Sequence, residues 1–207
     1  MRLKEEFVIR YYPHAQKAAK SSGIPVVFAL AQSALESGWG KSITGNMMFG
    51  IKKGSGKNYG GWKGDTQLVT TTEYSSSATR YFPFVFPGYP VQASNGKWKY
   101  KIKDVFRAYP SPFYSFVDWA GLLFKNKRYQ YALQHKKNPY RFAEEVAKAG
   151  YATDPAYATK IKRIMKDIEQ IIVLKKLHKK KISPIPIVLM GIGMLIIGVV
   201  VFQTKPK

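Results

Sequence analysis

The chain has few acids with which to do acid–base chemistry, and one of them is oddly placed. Of 207 residues only 12 are Asp or Glu, against 34 Lys and Arg, for a formal net charge of +22. Glu36 stands in "ALAQSALESGWGKS" (29–42), at the end of an apolar run and just before Gly38, Trp39 and Gly40. A carboxylate in the last turn of a helix meets the partial negative charge of that helix end. Apolar neighbours add a desolvation cost to the charged form. Both effects raise the pKa, as suits an acid that donates a proton to a leaving oxygen near neutral pH. Trp39 offers an apolar wall or a sugar-stacking face. A solvated helix-end glutamate fits the periodicity equally well.

A second acid sits in a different setting. Glu73 lies in "TTTEY" (70–74), a run rich in β-branched residues. If Thr70, Thr72 and Tyr74 share one face of a strand, Thr71 and Glu73 share the other. Glu73 could then point into a cleft between a sheet and the helices, or simply be an exposed strand residue. A helical acid facing a sheet-borne carboxylate is an arrangement used in glycoside hydrolysis. The remaining acids invite plainer readings. Glu5 and Glu6 lie on a basic terminal helix, and Glu144, Glu145, Asp167 and Glu169 fall on polar helix faces. Asp154 suits an N-cap, with Pro155 next. Asp65, Asp104 and Asp118 are left without a role. No P-loop, His-Glu-x-x-His or Gly-x-Ser-x-Gly pattern occurs, and His14, His135 and His178 are scattered. The absence of cysteine excludes disulfides and thiolate metal sites.

The elements that would position these residues follow in order. Residues 3–20 read as a helix with Phe7, Ile9, Tyr11 and Ala18 as core contacts. "PVVFALAQSALES" (25–37) reads as another, with apolar residues at 26, 27, 30, 31, 34 and 35 and Gly38 as its left-handed stop. Gly and Pro are frequent from Thr44 to about Ser111. Within that stretch "TQLVTTTEY" (66–74) and "KWKYKIKDVF" (97–106) read as strands of a small antiparallel sheet. Trp98, Tyr100 and Ile102 share the inner face of the second. The segment 80–96 reads as a proline-rich loop inserted between them. Helices return at 115–126, 138–150 and after Pro155. In the last, Ile161, Ile164, Met165, Ile168, Ile171 and Ile172 form one stripe. The class is α+β, a mainly helical lobe with a small antiparallel β-lobe.

The carboxyl end is different again. "IPIVLMGIGMLIIGVVVF" (185–202) carries no charge. It approaches the roughly 20 apolar residues that span a bilayer core. A transmembrane helix is expected over 184–203, preceded by a polybasic juxtamembrane linker over 174–183 and followed by a short basic tail, 204–207. Residues 1–173 form the remaining domain. The lysines of the linker would bind anionic headgroups and place that domain on the cytoplasmic side by the positive-inside rule. No secretory signal is expected at the amino terminus.

Four blocks carry a resemblance: "ALAQSALESGWGKS" (29–42), "GNMMFGIK" (45–52), "WKGDTQLVTTTEY" (62–74) and "AGYATDPAYATKI" (149–161). In this order they resemble the bacterial and phage β-N-acetylglucosaminidase family that cleaves peptidoglycan, which includes flagellar rod muramidase-like domains and many autolysins. The resemblance covers about residues 10–172. It implies a lysozyme-like fold around a sugar cleft, with Glu36 as general acid and Glu73 as a second carboxylate of variable role. It implies that Tyr151 lines the cleft beside the reacting sugar, and that Asn46 and Phe49 are structural or position substrate; Trp39 and Tyr74 are further candidates to contact substrate. No cofactor or metal is implied. The implied partner is the peptidoglycan glycan strand, with the membrane as a second partner and no specific nucleic acid. A muramidase or lytic transglycosylase on the same glycan is the nearest alternative. A non-catalytic, membrane-tethered binding protein is the alternative of another class. The wall lies outside the membrane, whereas the lysine bias places the domain inside. A phage enzyme on a host or virion membrane, acting during entry or lysis, would reconcile the two, and so would a cellular enzyme for which the lysine bias misleads.

Overall fold

The computed structural model describes residues 2–54 and 62–177. The expected membrane span, the basic tail and most of the polybasic linker lie outside these residues. Among the described residues no helix is long and apolar enough to cross a membrane. The elements are α1 (Arg2–Ser22), α2 (Val26–Ser37), β1 (Thr66–Ser75), β2 (Val91–Gln92), β3 (Trp98–Arg107), α3 (Pro112–Lys125), α4 (Gln130–Gln134), α5 (Pro139–Lys148) and α6 (Tyr157–Leu174). A 3-10 turn, Lys127–Tyr129, leads into α4.

The helical lobe is organised around α2. An amphipathic surface helix buries one stripe, but α2 buries every residue from Phe28 to Ala34, and Ser37 as well. It packs against α6, α1 and α5, so it is a central helix with no solvent face along most of its length. Only at its carboxyl end do Leu35 and Glu36 emerge. Leu35, one of the apolar positions at helical spacing, is 38% exposed there. Gly38 closes the helix at φ 57° and ψ 47°, its N–H donating to the carbonyl of Ala34. This is the left-handed stop read from the sequence. In α1 the buried stripe is Phe7, Val8, Tyr11, Tyr12, Ala15 and Ala18. Ile9 stands about 200° round the helix from Phe7 at roughly 100° per residue. It is accordingly exposed, contrary to its expected place in the core. In α6 the isoleucine and methionine stripe is buried as expected.

The sheet has three strands in the order β1-β3-β2. β1 and β3 pair antiparallel from Thr66 opposite Arg107 to Ser75 opposite Trp98. The segment 80–96 is more than an inserted loop, because it supplies the second edge of β3. Val91 and Gln92 pair with Lys99 and Trp98, and Val85 bridges Ile102. Phe86 N–H donates to the Lys101 carbonyl, and Lys103 N–H to that of Phe84. An open edge of β3 would leave those groups without backbone partners, and prolines at 83, 87 and 90 are tolerated because the segment runs along an edge.

Two acids read as solvated or capping behave otherwise. Glu145 is 6% exposed and is ion-paired to Arg141 at 2.7 Å and Lys148 at 3.0 Å. Asp154 precedes α6 by a turn instead of capping it: Oδ1 accepts from Ala156 N–H, and Oδ2 pairs with Lys160 at 2.6 Å. Lys175, the first lysine of the basic run, folds back to Glu5 at 2.8 Å.

Candidate active site

Glu36 owes its surroundings to the emergence of α2 from the core. One turn back along the helix, Gln32 is 1% exposed. Its amide N–H donates to Glu36 Oε1 at 2.8 Å, and its Oε1 accepts from the Tyr157 hydroxyl at 2.6 Å. This fixes the amide orientation and ties the acid to the first turn of α6. Glu36 as a whole residue remains exposed, yet desolvation raises its pKa, opposed by the Gln32 hydrogen bond. The two facts describe one geometry: solvent reaches the carboxyl from an open side, and protein crowds it from the other. With the N–H of Gln32 on Oε1, the proton of the neutral acid belongs on Oε2, the oxygen left to meet a substrate.

Tyrosines form the wall beside this acid. Tyr151 stacks on Tyr157 with centroids 5.6 Å apart and planes 20° apart, and Tyr129 lies 6.0 Å from Tyr151. The Tyr151 oxygen accepts from Trp119 Nε1–H at 2.9 Å, so its own hydrogen is directed elsewhere. Burial pushes the Tyr151 hydroxyl well above its ordinary pKa; Trp119 opposes this, and the nearby Glu36 charge adds to it. Burial does the same to Tyr157, assisted by the nearby Glu36 charge. Both are therefore neutral hydroxyls at working pH. Glu36 and Tyr151, expected together, are brought together.

Glu73 lies on β1, in the sheet. Its register partner is Tyr100, and Thr71 faces Ile102, both of which are buried. Glu73 is thus on the inner face of the sheet, as the alternation implied. There Lys52 lies 2.7 Å from Glu73 and 2.8 Å from Asp104. Burial by itself would lower the Lys52 pKa, but the two carboxylates outweigh it and the net shift is upward. Tyr74, next along the strand, is on the opposite face and 49% exposed.

The other expected site residues lie in three different settings. Trp39 has φ 61°; its ring meets Phe7 edge-on at 5.7 Å and lies under Lys4. It lines a groove of about 480 Å³ with Leu35, Lys4, Arg163 and Asp167. Asn46, at φ 60°, donates to the Tyr109 carbonyl at 3.0 Å and pins the 44–52 loop. Phe49 is 3% exposed and stacks flat on Trp119 at 4.5 Å, so it acts on the site through the ring that donates to Tyr151. Sequence reasoning missed Gln32, Trp119, Tyr157 and Lys52. Gln32 carried a signal, being a polar residue inside an otherwise apolar helix one turn before the acid.

A helical lobe that carries Glu36, joined to a small antiparallel sheet that carries Glu73, matches the fold of glycoside hydrolase domains. The chain belongs to the glucosaminidase family, described as mannosyl-glycoprotein endo-beta-N-acetylglucosaminidase, whose profile matches residues 12–170. It is 36% identical over 174 residues to the peptidoglycan hydrolase FlgJ of Pseudomonas aeruginosa, covering 80% of this chain and 37% of that protein. The glycoside hydrolase domain of Salmonella typhimurium FlgJ aligns with a TM-score of 0.61 and 28% identity, over 85% of this chain and 93% of that domain. A peptidoglycan hydrolase mutant from Sphingomonas sp. A1 aligns at 0.57 with 31% identity, over 82% and 99%. The chain spans only 37–48% of the length of three FlgJ proteins that it matches.

Proposed function

We propose that the chain is a peptidoglycan hydrolase cleaving the β-1,4 bond between N-acetylglucosamine and N-acetylmuramic acid. The observation that carries this reading is Glu36, a desolvated carboxyl with one oxygen engaged by Gln32 and a neutral tyrosine hydroxyl beside it. The family description supports the sugar, and the relatives' descriptions as peptidoglycan hydrolases support the polymer. Glu36 gives its Oε2 proton to the glycosidic oxygen. The bond from that oxygen to C1 breaks, the electron pair leaves with the oxygen, and positive charge spreads over C1 and the ring oxygen. Lys52 already occupies Glu73, which weakens that carboxylate as a base for water. The substrate's own 2-acetamido carbonyl therefore attacks C1, a known exception to the two-carboxylate scheme. Tyr151, with its oxygen engaged by Trp119, donates to the reacting sugar. Water then opens the cyclic intermediate, and the Glu36 carboxylate takes up the proton.

Muropeptide mass spectrometry tests the bond and Glu36→Gln tests the acid. The expected product has reducing N-acetylglucosamine. Reducing N-acetylmuramic acid would make the enzyme a muramidase, and the anhydro form a transglycosylase. Glu36→Gln should lose on the order of 10²–10⁴ in rate while keeping its circular dichroism. Undiminished lysis would remove Glu36 from the mechanism. The first-formed anomer, followed by NMR, should retain the β configuration; an α product would hand the base role to Glu73.

The reading includes a tether. The uncharged run 185–202 would hold the catalytic unit at a membrane, with the basic linker on anionic headgroups. A phage enzyme on a host or virion membrane, degrading the wall locally during infection or lysis, fits both activities. Protease treatment of intact spheroplasts tests the side. Survival of the domain is expected from the lysine bias, and its digestion would place it outside.

A further inference from the structure

The face of the sheet turned away from Glu73 has a composition that hydrolysis does not use. Register defines it. Along β3, Lys99, Lys101, Lys103 and Val105 point outward, opposite Tyr74, Thr72, Thr70 and Leu68 of β1. On the other edge Val91 pairs with Lys99. The bridge between Val85 and Ile102 turns Val85 inward, which puts Phe84 and Phe86 outside with the lysines. The ring contacts agree: Lys103 Nζ lies 5.2 Å from the Phe84 centroid and Lys101 Nζ 5.1 Å from that of Phe86. Leu68 is 62% exposed, Val91 43% and Phe84 42%. Among these paired residues there is no carboxylate on the outer face. Glu73 and Asp104 both belong to the inner one, where Lys52 holds them.

We propose that this outer face is a docking surface for a bilayer bearing anionic headgroups. A row of lysines between apolar side chains matches a flat partner that is negative at its surface and apolar beneath it. The lysine stems can lie along the apolar surface while their ammonium groups stay among headgroups. A nucleic acid or another soluble polyanion fits less well. Lysines already cover the ring faces of Phe84 and Phe86, so these are not open platforms for stacking a base. Leu68 and Val91 add apolar area that a polyphosphate backbone has no use for. The uncharged run at 185–202 would bring a bilayer to the same chain. Docking through the outer face leaves the inner face, with Glu73, turned away from the lipid.

The test uses the full chain, which has no cysteine of its own. A Leu68→Cys variant carrying an environment-sensitive fluorophore is reconstituted into phosphatidylcholine vesicles with or without phosphatidylglycerol. The label should shift blue and escape an aqueous quencher only when phosphatidylglycerol is present. Salt near 1 M, where the screening length is about 3 Å, should reverse the effect. K99E/K101E/K103E should lower the docked-to-undocked ratio by more than a hundredfold, since removing each lysine charge alone costs about fivefold. K99Q/K101Q/K103Q should lower it in the same direction, should the charge reversal disturb the fold. A label at Tyr131→Cys, on α4 of the helical lobe, should stay quenched. Equal quenching at position 68 in both vesicles, protection unchanged in the lysine variants, or equal protection at position 131 would each overturn the proposal. Protection by single-stranded DNA or polyphosphate in neutral detergent would assign the face to a soluble polyanion and overturn it too. Hydrolysis of soluble glycan by the lysine variants, assayed alongside, should be unchanged, so failure of docking is distinguishable from failure of the hydrolase reading.

Discussion

A glutamate that must give up a proton and later take it back needs a pKa held high but not locked. In this chain the lever is Gln32. Desolvation raises the pKa of Glu36 and the Gln32 hydrogen bond lowers it. A glutamic acid protonated below its raised pKa is competent as a donor, so the alkaline limb of kcat/KM reports that pKa. Gln32→Leu removes the lowering contribution, and the limb should move to higher pH. The same change frees Oε1 to carry the proton and leaves the Tyr157 hydroxyl without its amide acceptor. A fall in kcat and a loss of about 1–3 kcal/mol of stability should accompany it. Tyr157→Phe should reproduce part of the kcat loss with a smaller shift of the limb. A pH profile unmoved by Gln32→Leu would reduce Gln32 to a packing residue. The sign for stability follows from the same shift. Because the folded state raises the Glu36 pKa, the fold binds this proton more tightly than the unfolded chain. Its contribution is fully present below the unfolded pKa and is lost as pH rises through the folded one.

The elements show why some of this site was legible in the sequence and some was not. The position of Glu36 at the end of an apolar helix and the stop at Gly38 are local facts, written in periodicity and in one glycine. The alternation that turns Glu73 inward and Tyr74 outward is equally local. Gln32, Trp119 and Tyr157 come from three helices far apart in sequence, and no local rule joins them. In α2 the apolar spacing does not separate buried from exposed residues, because the helix is surrounded along most of its length and Leu35 is exposed only where it emerges. The local part makes a measurable claim. Gly38 has φ 57°, and a Cβ added there would meet nothing within 4 Å. Gly38→Ala should therefore cost only the backbone strain of a left-handed residue, about 1–2 kcal/mol. For a domain of this size that is roughly 2–4 °C per kcal/mol in Tm. A larger loss would mean that the change also unwinds the last turn of α2, and activity would then fall with stability.

At the scale of the molecule the sheet that carries Glu73 is joined to helix α3 by one buried cluster. Arg107, the last residue of β3, is 3% exposed and pairs with Asp118 of α3 at 2.9 Å. The Tyr109 hydroxyl donates to the same carboxylate at 2.6 Å. Burial, followed by that carboxylate, pushes the Tyr109 pKa upward, so Tyr109 remains a neutral donor. Met47, Phe106 and Tyr109, with Trp62 and Val69 packed against them, make a small apolar core around this junction. The sequence left Asp118 without a role because its partners lie on another element. Asp118→Asn keeps the shape of the side chain but removes the charge facing a buried guanidinium. Breaking a buried pair from one side costs on the order of 3–5 kcal/mol. Denaturant titration should show a loss near the low end of that range, since Asn still accepts from Tyr109. If the junction orients the lobes, kcat should fall more than stability at assay temperature explains, with the alkaline limb set by Glu36 unmoved. A variant with full activity per folded molecule would show that the pair stabilises the fold and leaves the cleft alone.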